Sequence, residues 1–238
     1  MKTDAVRWLM KMDMNYFVQN EEGTTALMKA AEFTLYTSAM EEMIKQNEEI
    51  VYILNNNGEN ALFYVTNEKS YKVLCDTKID FNCINNNGEN IFINICKRKH
   101  YEFFKDILNR VEDVDYISGD GRTASMYLVE NGRFNELKEI YKREPNLDFR
   151  NNKGETALSI LLTKFKEYYE NKKFSSIRIY VYTLYVLLRY GCNFNISIDE
   201  EGNTPIMFFL MIGDYYSTTL LLERCEGLNV TIKNKNGM

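Results

Sequence analysis

A short glycine-centred turn returns along this chain at nearly constant intervals, and that recurrence constrains the fold more than any other property. Its clearest copy is Asn151-Asn152-Lys153-Gly154-Glu155-Thr156-Ala157-Leu158. Related copies are Asn20-Glu21-Glu22-Gly23-Thr24-Thr25-Ala26-Leu27, Asn55-Asn56-Asn57-Gly58-Glu59-Asn60-Ala61-Leu62 and Asn85-Asn86-Asn87-Gly88-Glu89-Asn90-Ile91-Phe92. Ser118-Gly119-Asp120-Gly121-Arg122-Thr123-Ala124 is looser, Asp199-Glu200-Glu201-Gly202-Asn203-Thr204-Pro205-Ile206 is close, and Asn234-Lys235-Asn236-Gly237 opens a further copy. The turn glycines stand at 23, 58, 88, 121, 154, 202 and 237, so the steps are 35, 30, 33, 33, 48 and 35. A period near 33 with one long step indicates a stacked array of small units, none able to bury its apolar face alone.

Local rules build each unit. The opening Asn or Asp favours a turn because its side chain bonds back to nearby backbone. Three residues on, Gly takes the positive φ that other residues resist. Two positions later Thr or Asn can cap a helix. In the unit starting at Ser118, Ala124, Met126, Leu128 and Val129 mark a first helix, Glu130-Asn131-Gly132-Arg133 a break, and Phe134, Leu137, Ile140 and Tyr141 the apolar stripe of a second helix. The expected organisation is a single array over 1–238 with a partial unit at 1–19. Full units follow at 20–54, 55–84, 85–117, 118–150, 151–198 and 199–233, and 234–238 begins another. Val6 to Met12 reads as the second helix of a unit whose first helix is missing, and Trp8, Met10, Met12 and Met14 are apolar where an end unit would be polar. The chain therefore reads as a piece of a longer array.

The turn-plus-hairpin pattern resembles the ankyrin-repeat family. The family's Gly-x-Thr-Pro-Leu core stands as Gly154-Glu155-Thr156-Ala157-Leu158 and Gly202-Asn203-Thr204-Pro205-Ile206, and its late leucine pair and Gly as Leu187-Leu188-Arg189-Tyr190-Gly191, with Asn195 in the usual Asn position. The resemblance implies an all-α solenoid of β-turns and antiparallel helix pairs. One departure recurs: the family's His after the core leucine is replaced by Met28, Phe63, Ile93, Met126, Ser159 and Met207. Loss of that side-chain bond implies lower stability than an idealised array. Partner contacts in the family come from the turn around Gly and the end of the first helix, on an extended concave face. Carried over, the turn candidates are Glu21, Glu22, Thr24, Asn56, Asn57, Glu59, Asn86, Asn87 and Glu89, then Asp120, Arg122, Asn152, Lys153, Glu155, Glu200, Glu201 and Asn203. The helix-end candidates are Glu32, Phe33, Asn67, Glu68, Lys97, Arg98, Glu130, Asn131, Met211 and Ile212. Among these, Phe33, Met211 and Ile212 stand out as apolar groups useful to bury against a partner.

The resemblance implies a protein-binding scaffold. The alternatives are an accessory part of a larger enzyme or ubiquitin-ligase adaptor, and nucleic-acid binding through the insertion in the 48-residue step. That insertion, 164–178, interleaves Lys164, Lys166, Lys172, Lys173 and Arg178 with Phe165, Tyr168, Tyr169 and Phe174. Such a mixture can hold nucleic acid by charge and stacking, or simply form an extended helical hairpin capped at Ser175 or Ser176. A net charge of −5 weighs against nucleic acid or an anionic membrane as the partner of the whole surface. No stretch approaches the ~18 apolar residues of a membrane span. Five scattered cysteines without C-x-x-C spacing suit reduced thiols in a cytoplasmic or nuclear protein.

Nothing in the sequence points to catalysis, a metal or a cofactor. His100 is the sole histidine. It stands four residues after Cys96, but an expected helix break at Lys97 to Lys99 separates the two. Ser118-Gly119-Asp120-Gly121 lacks phosphate-loop spacing, and Glu112-Asp113-Val114-Asp115 lacks the alternating ligands of a calcium loop.

Overall fold

A computed structural model describes residues 14–171 and 177–238. The expected helix at Val6 to Met12 and the caps at Ser175 or Ser176 lie outside the described residues. The chain forms two compact units, one containing the described residues up to Asp113 together with Ile117–Asp120, the other Val114–Tyr116 with Gly121–Met238. Among the described residues there are helices, turns and two isolated β-bridges, Gln19 with Thr25 and Ile84 with Asn90.

In the first unit, helix α1 (Ala26–Ala31) begins where the Thr25 hydroxyl accepts the N–H of Met28 at 3.3 Å. It packs on α2 (Thr37–Gln46) as one hairpin. The next unit of sequence has the shortest step, and its first helix is reduced to a 3₁₀ turn, Ala61–Tyr64. The reason is local. Asn67 adopts extended backbone and its side chain caps α3 (Glu68–Cys75) through the N–H of Ser70, leaving no room for a full first helix. Arg98 from the following helix donates to the Phe63 carbonyl at 2.5 Å, satisfying one of the acceptors this short helix leaves open. Helix α4 (Ile91–Arg98), capped by Asn90, pairs with α5 (Phe104–Arg110). First helices pack on first helices (α1 on Ala61–Tyr64, which packs on α4), and α2 packs on α3 in a second layer. Leu27, Met40, Leu62, Leu74, Phe92 and Ile107 fill the space between. Each such side chain, fully buried, contributes roughly 1.5–3 kcal/mol.

The second unit repeats the plan. Helices α6 (Ala124–Glu130) and α7 (Phe134–Tyr141) form one hairpin, as the spacing of their apolar residues predicts. Helix α8 (Ala157–Glu170) runs for 14 residues, against six to eight for the other first helices of α type, so the expected overshoot is present. It pairs with α9 (Ile177–Arg189), and α10 (Pro205–Met211), with Pro at its start, pairs with α11 (Tyr215–Arg224). The first-helix layer continues from α6 to α8, and from α8 to α10 through an edge-to-face contact of Phe165 with Phe209.

Two sequence expectations need correction. The break after α4 falls later than Lys97: the helix includes Lys97 and Arg98 and ends at Lys99, which is left-handed at φ 67°. His100 lies in the linker after that break, while Cys96 is fully buried. The position of the missing family His is also less bare than expected. Ser159 Oγ accepts the N–H of Thr156 at 2.8 Å, and the sulfurs of Met28 and Met207 accept the N–H of Thr25 and Thr204 at 3.5 and 3.4 Å. Sulfur is a weak acceptor, and Phe63 and Ile93 have no acceptor, so the bond is retained unevenly.

Candidate functional site

The turns are built by one device. The side-chain oxygen of the first residue accepts the N–H groups two and four residues on, as Asn55 does from Asn57 (2.8 Å) and Glu59 (2.9 Å), and Asn151 from Lys153 and Glu155 (both 2.9 Å). The glycine then crosses to positive φ, 75° at Gly58 and 77° at Gly154. This geometry sorts the turn residues into two sets. The two residues before the glycine point outward: Glu21, Glu22, Asn56, Asn57, Asn86, Asn87, Asn152, Lys153, Glu200 and Glu201 are exposed, as is Asp120.

The residue after the glycine is turned inward. Thr24, Glu89 and Asn203 are buried, and Glu59, Arg122 and Glu155 are half-buried. These six share the motif of the tips in sequence, but their side chains are spent within the stack rather than presented outward. In the first unit the Asn55 amide donates to Glu59 at 2.9 Å, and the Asn85 amide donates to both Glu59 (3.4 Å) and Glu89 (3.2 Å). Lys97 closes that ladder with an ion pair to the Glu89 carboxylate. In the second unit Asn151 donates to Glu155 at 2.8 Å, while Arg122 pairs with Glu130 at 2.8 Å and lies over the Tyr127 ring. The Asn–x–x–x–Glu spacing carried this signal, because an amide and a carboxylate four residues apart across a tight turn are within bonding reach.

At residue 199 the pair is inverted. Asp199 faces Asn203, whose amide donates to it at 2.7 Å, and the Asn234 amide donates to Asn203 at 2.7 Å. Burial pushes the Asp199 carboxyl up, but hydrogen bonds from Asn203, Glu201 and Gly202 together hold it below the usual aspartate range. The stabilisation is therefore present above the ordinary aspartate pKa near ~4 and fades as pH falls through the lowered value. The four turns that open at Asn55, Asn85, Asn151 and Asp199 thus each pair one amide with one carboxylate across the glycine. Asn85→Asp is accordingly expected to destabilise the first unit by about 2 kcal/mol at pH 7, because a third carboxylate joins Glu59 and Glu89. Crowding would raise the new acid's folded-state pKa, so the loss should shrink as pH is lowered toward 4. Urea denaturation at pH 7 and pH 4.5 measures both.

The helix-end candidates divide similarly. Phe33, two residues past α1 where it opens the 3₁₀ turn Thr34–Tyr36, and Met211, the last residue of α10, are 53% and 57% exposed. Lys97 and Arg98 end α4 and Glu130 ends α6, while Glu32, Asn131 and Ile212 are the half-buried residues following α1, α6 and α10. Asn67 and Glu68 are a correction: the truncated first helix ends at Tyr64, so they start α3 instead.

In the described part of the insertion, Phe165 is fully buried and Tyr168 packs at 5.2 Å on Tyr180. Burial, then Asp214, pushes the Tyr169 hydroxyl up to about 12. Lys164 pairs with Glu167 at 2.9 Å, Lys166 with Glu170 at 3.9 Å, and Arg178 reaches the Tyr182 hydroxyl at 3.0 Å. Lys172, Lys173 and Phe174 lie outside the described residues. Elsewhere, burial and then Arg98 lower the pKa of His100, keeping it neutral at pH 7. Among the described residues no group of three or more His, Cys, Asp or Glu side chains could hold a metal, and no helix is long and apolar enough to cross a membrane.

No family model matches the chain, and no curated protein matches it either. Solved structures do. The ankyrin repeat domain of Bcl-3, described as a unique member of the IkappaB protein family, aligns with a TM-score of 0.61 at 17% identity, over 87% of this chain and 86% of that one. An ankyrin repeat domain from Acinetobacter baumannii AYE aligns with a TM-score of 0.68 at 20% identity, over 83% of this chain and 96% of that one. At these identities the likeness is one of fold: the chain has the all-α architecture of ankyrin-repeat domains.

Proposed function

We propose, with the ankyrin-repeat fold as the premise, that this chain is a non-catalytic scaffold that binds another protein through turn tips and first-helix ends. The observation that carries the reading is the exposure of Phe33 and Leu35 (63%), in the segment that follows α1, and of Leu210 (53%) and Met211, in the last turn of α10. Each end lies in a fold whose inner turn residues are committed to the stack and whose tips are left outward. Burying such a side chain against a partner yields roughly 1.5–3 kcal/mol. The outward Asn, Glu and Lys residues would then set specificity as a polar rim.

Nucleic-acid binding through the insertion has less support. The described cations there face Glu167, Glu170 and Tyr182, and Phe165 is unavailable for stacking because it fills the core.

The test is affinity capture on the full chain, followed by titration of the captured protein against variants. Phe33→Ala and Met211→Ala should each weaken binding tenfold or more with little change in Tm. Tyr182→Ala and Tyr185→Ala, two exposed positions on a second helix, should leave it unchanged. Loss confined to the tyrosine variants would refute the proposed face.

A further inference from the structure

Neighbouring turns are joined by a recurring backbone bond. The residue after the opening Asx or Ser donates its N–H to the carbonyl before the previous glycine: Asn56 to Glu22 (3.0 Å), Asn86 to Asn57 (2.8 Å), Gly119 to Asn87 (2.9 Å) and Lys235 to Glu201 (2.9 Å). By the same register Glu200 should donate to Lys153, and no hydrogen bond joins them. The glycines report the same gap. A Cβ on Gly23 or Gly121 would lie within 2.7 Å of the next turn's backbone, whereas one on Gly154 would meet nothing within 4 Å.

Between these two turns, wholly inside the second unit, lies a cleft of about 350 Å³. Its walls include Lys153 and Thr156 on one side, Ile198 and Glu200 on the other, with Ser159 and Thr163 of α8 at its base. This gap falls within the 48-residue step, where α8 and α9 are lengthened. The hydroxyls of Thr156, Ser159 and Thr163 are engaged with backbone: Thr156 Oγ1 accepts the Ser159 N–H, and Ser159 and Thr163 donate to the Thr156 and Ser159 carbonyls. The cleft leaves available a backbone acceptor at Lys153 and a backbone donor at Glu200, flanked by their ammonium and carboxylate and by the Arg150 guanidinium, which also donates to the Gly154 carbonyl at 2.8 Å.

We infer that this cleft receives a short extended peptide segment of a protein partner, which inserts as an extra rung between the two turns. The inference deepens the scaffold reading and rests on it. A peptide backbone in extended form offers an N–H and a C=O on each edge at alternate residues, which is what the interrupted ladder lacks. A volume near 350 Å³ is at the lower end of ligand pockets, enough for roughly three residues. Lys153 and Glu200 favour a segment carrying one acidic and one basic side chain.

The experiment pans displayed random linear heptapeptides on the full chain and measures recovered peptides by fluorescence anisotropy. Thr163→Trp, an exposed helical position, fills the cleft. Glu200→Pro removes the donor at the second position of a β-turn closed by the Gly202 N–H to the Asp199 carbonyl, a position that suits proline. Both should weaken selected peptides at least tenfold with circular dichroism and Tm retained. N-methylation of the peptide at one residue of the alternation should do the same, and at its neighbour should have little effect. Selected peptides indifferent to Thr163→Trp and Glu200→Pro, or to N-methylation in both phases, would overturn the inference, as would recovery of no peptide. Loss of binding to Phe33→Ala but not to the cleft variants would sink the cleft while leaving the scaffold reading standing. Peptides that need the cleft, together with no partner sensitive to Phe33 or Met211, would do the reverse.

Discussion

Replacing Phe165 by alanine is expected to destabilise the second unit by about 3–5 kcal/mol. Phe165 is fully buried and meets Phe209 edge-to-face at 5.0 Å and 88°, joining the first helix of one hairpin to the first helix of the next. Both the transfer energy of the ring and the contact geometry are lost, the latter worth about 0.5–1.5 kcal/mol within that total. Against a total stability of ~5–15 kcal/mol for a domain, the change should be conspicuous in urea denaturation followed by circular dichroism. Tyr168→Ala, at a half-buried position three residues on, should cost clearly less. A Phe165→Ala loss below about 1 kcal/mol would place the ring at the surface, and would revive stacking on nucleic acid as a role for the insertion.

The second large effect is a contrast between two glycines with nearly the same backbone angle. Gly121 and Gly154 have φ of 79° and 77°. Alanine at either suffers the left-handed penalty of about 1–2 kcal/mol. At Gly121 the new Cβ would also stand 2.7 Å from the Asn152 backbone nitrogen and 2.5 Å from its side-chain oxygen, whereas at Gly154 it would meet open space. Displacing backbone adds roughly 1–3 kcal/mol. Gly121→Ala should therefore lose about 2–5 kcal/mol and Gly154→Ala about 1–2 kcal/mol, measured side by side by thermal and urea unfolding. Equal losses would mean that the turns at 154 and 202 are as closely apposed as the others. That result would remove the cleft on which the peptide inference depends.

The hairpin plan was legible in the sequence because its causes are local. An Asn that bonds two and four residues ahead, a Gly at positive φ and a Thr or Asn cap are all written within eight positions, and the helical stripes follow within twenty. The period near 33 then follows from stacking, since no single hairpin covers its own apolar side. The overshoot of α8 was legible for the same reason: its apolar spacing continues past the length of its neighbours.

What the sequence did not reveal are relations between residues of different turns and helices. The partners of the residue after the glycine come from elsewhere in the stack: Asn85 reaches back to Glu59, Asn234 to Asn203, Tyr64 meets Thr24 and Lys97 pairs with Glu89. Hence Thr24, Glu89 and Asn203 looked like tips and are interior. The carbonyl that the shortened helix Ala61–Tyr64 leaves open at Phe63 is met by Arg98, arriving from a later helix. The opening beside Gly154 depends on how two turns 48 residues apart come to rest once longer helices lie between them. Repetition and turn chemistry settled the kind of unit and its order. The side presented by each turn residue, and the unpaired rung between the turns at Gly154 and Gly202, were settled by packing between neighbouring turns, because short-range patterns do not encode contacts that exist only after the stack has formed.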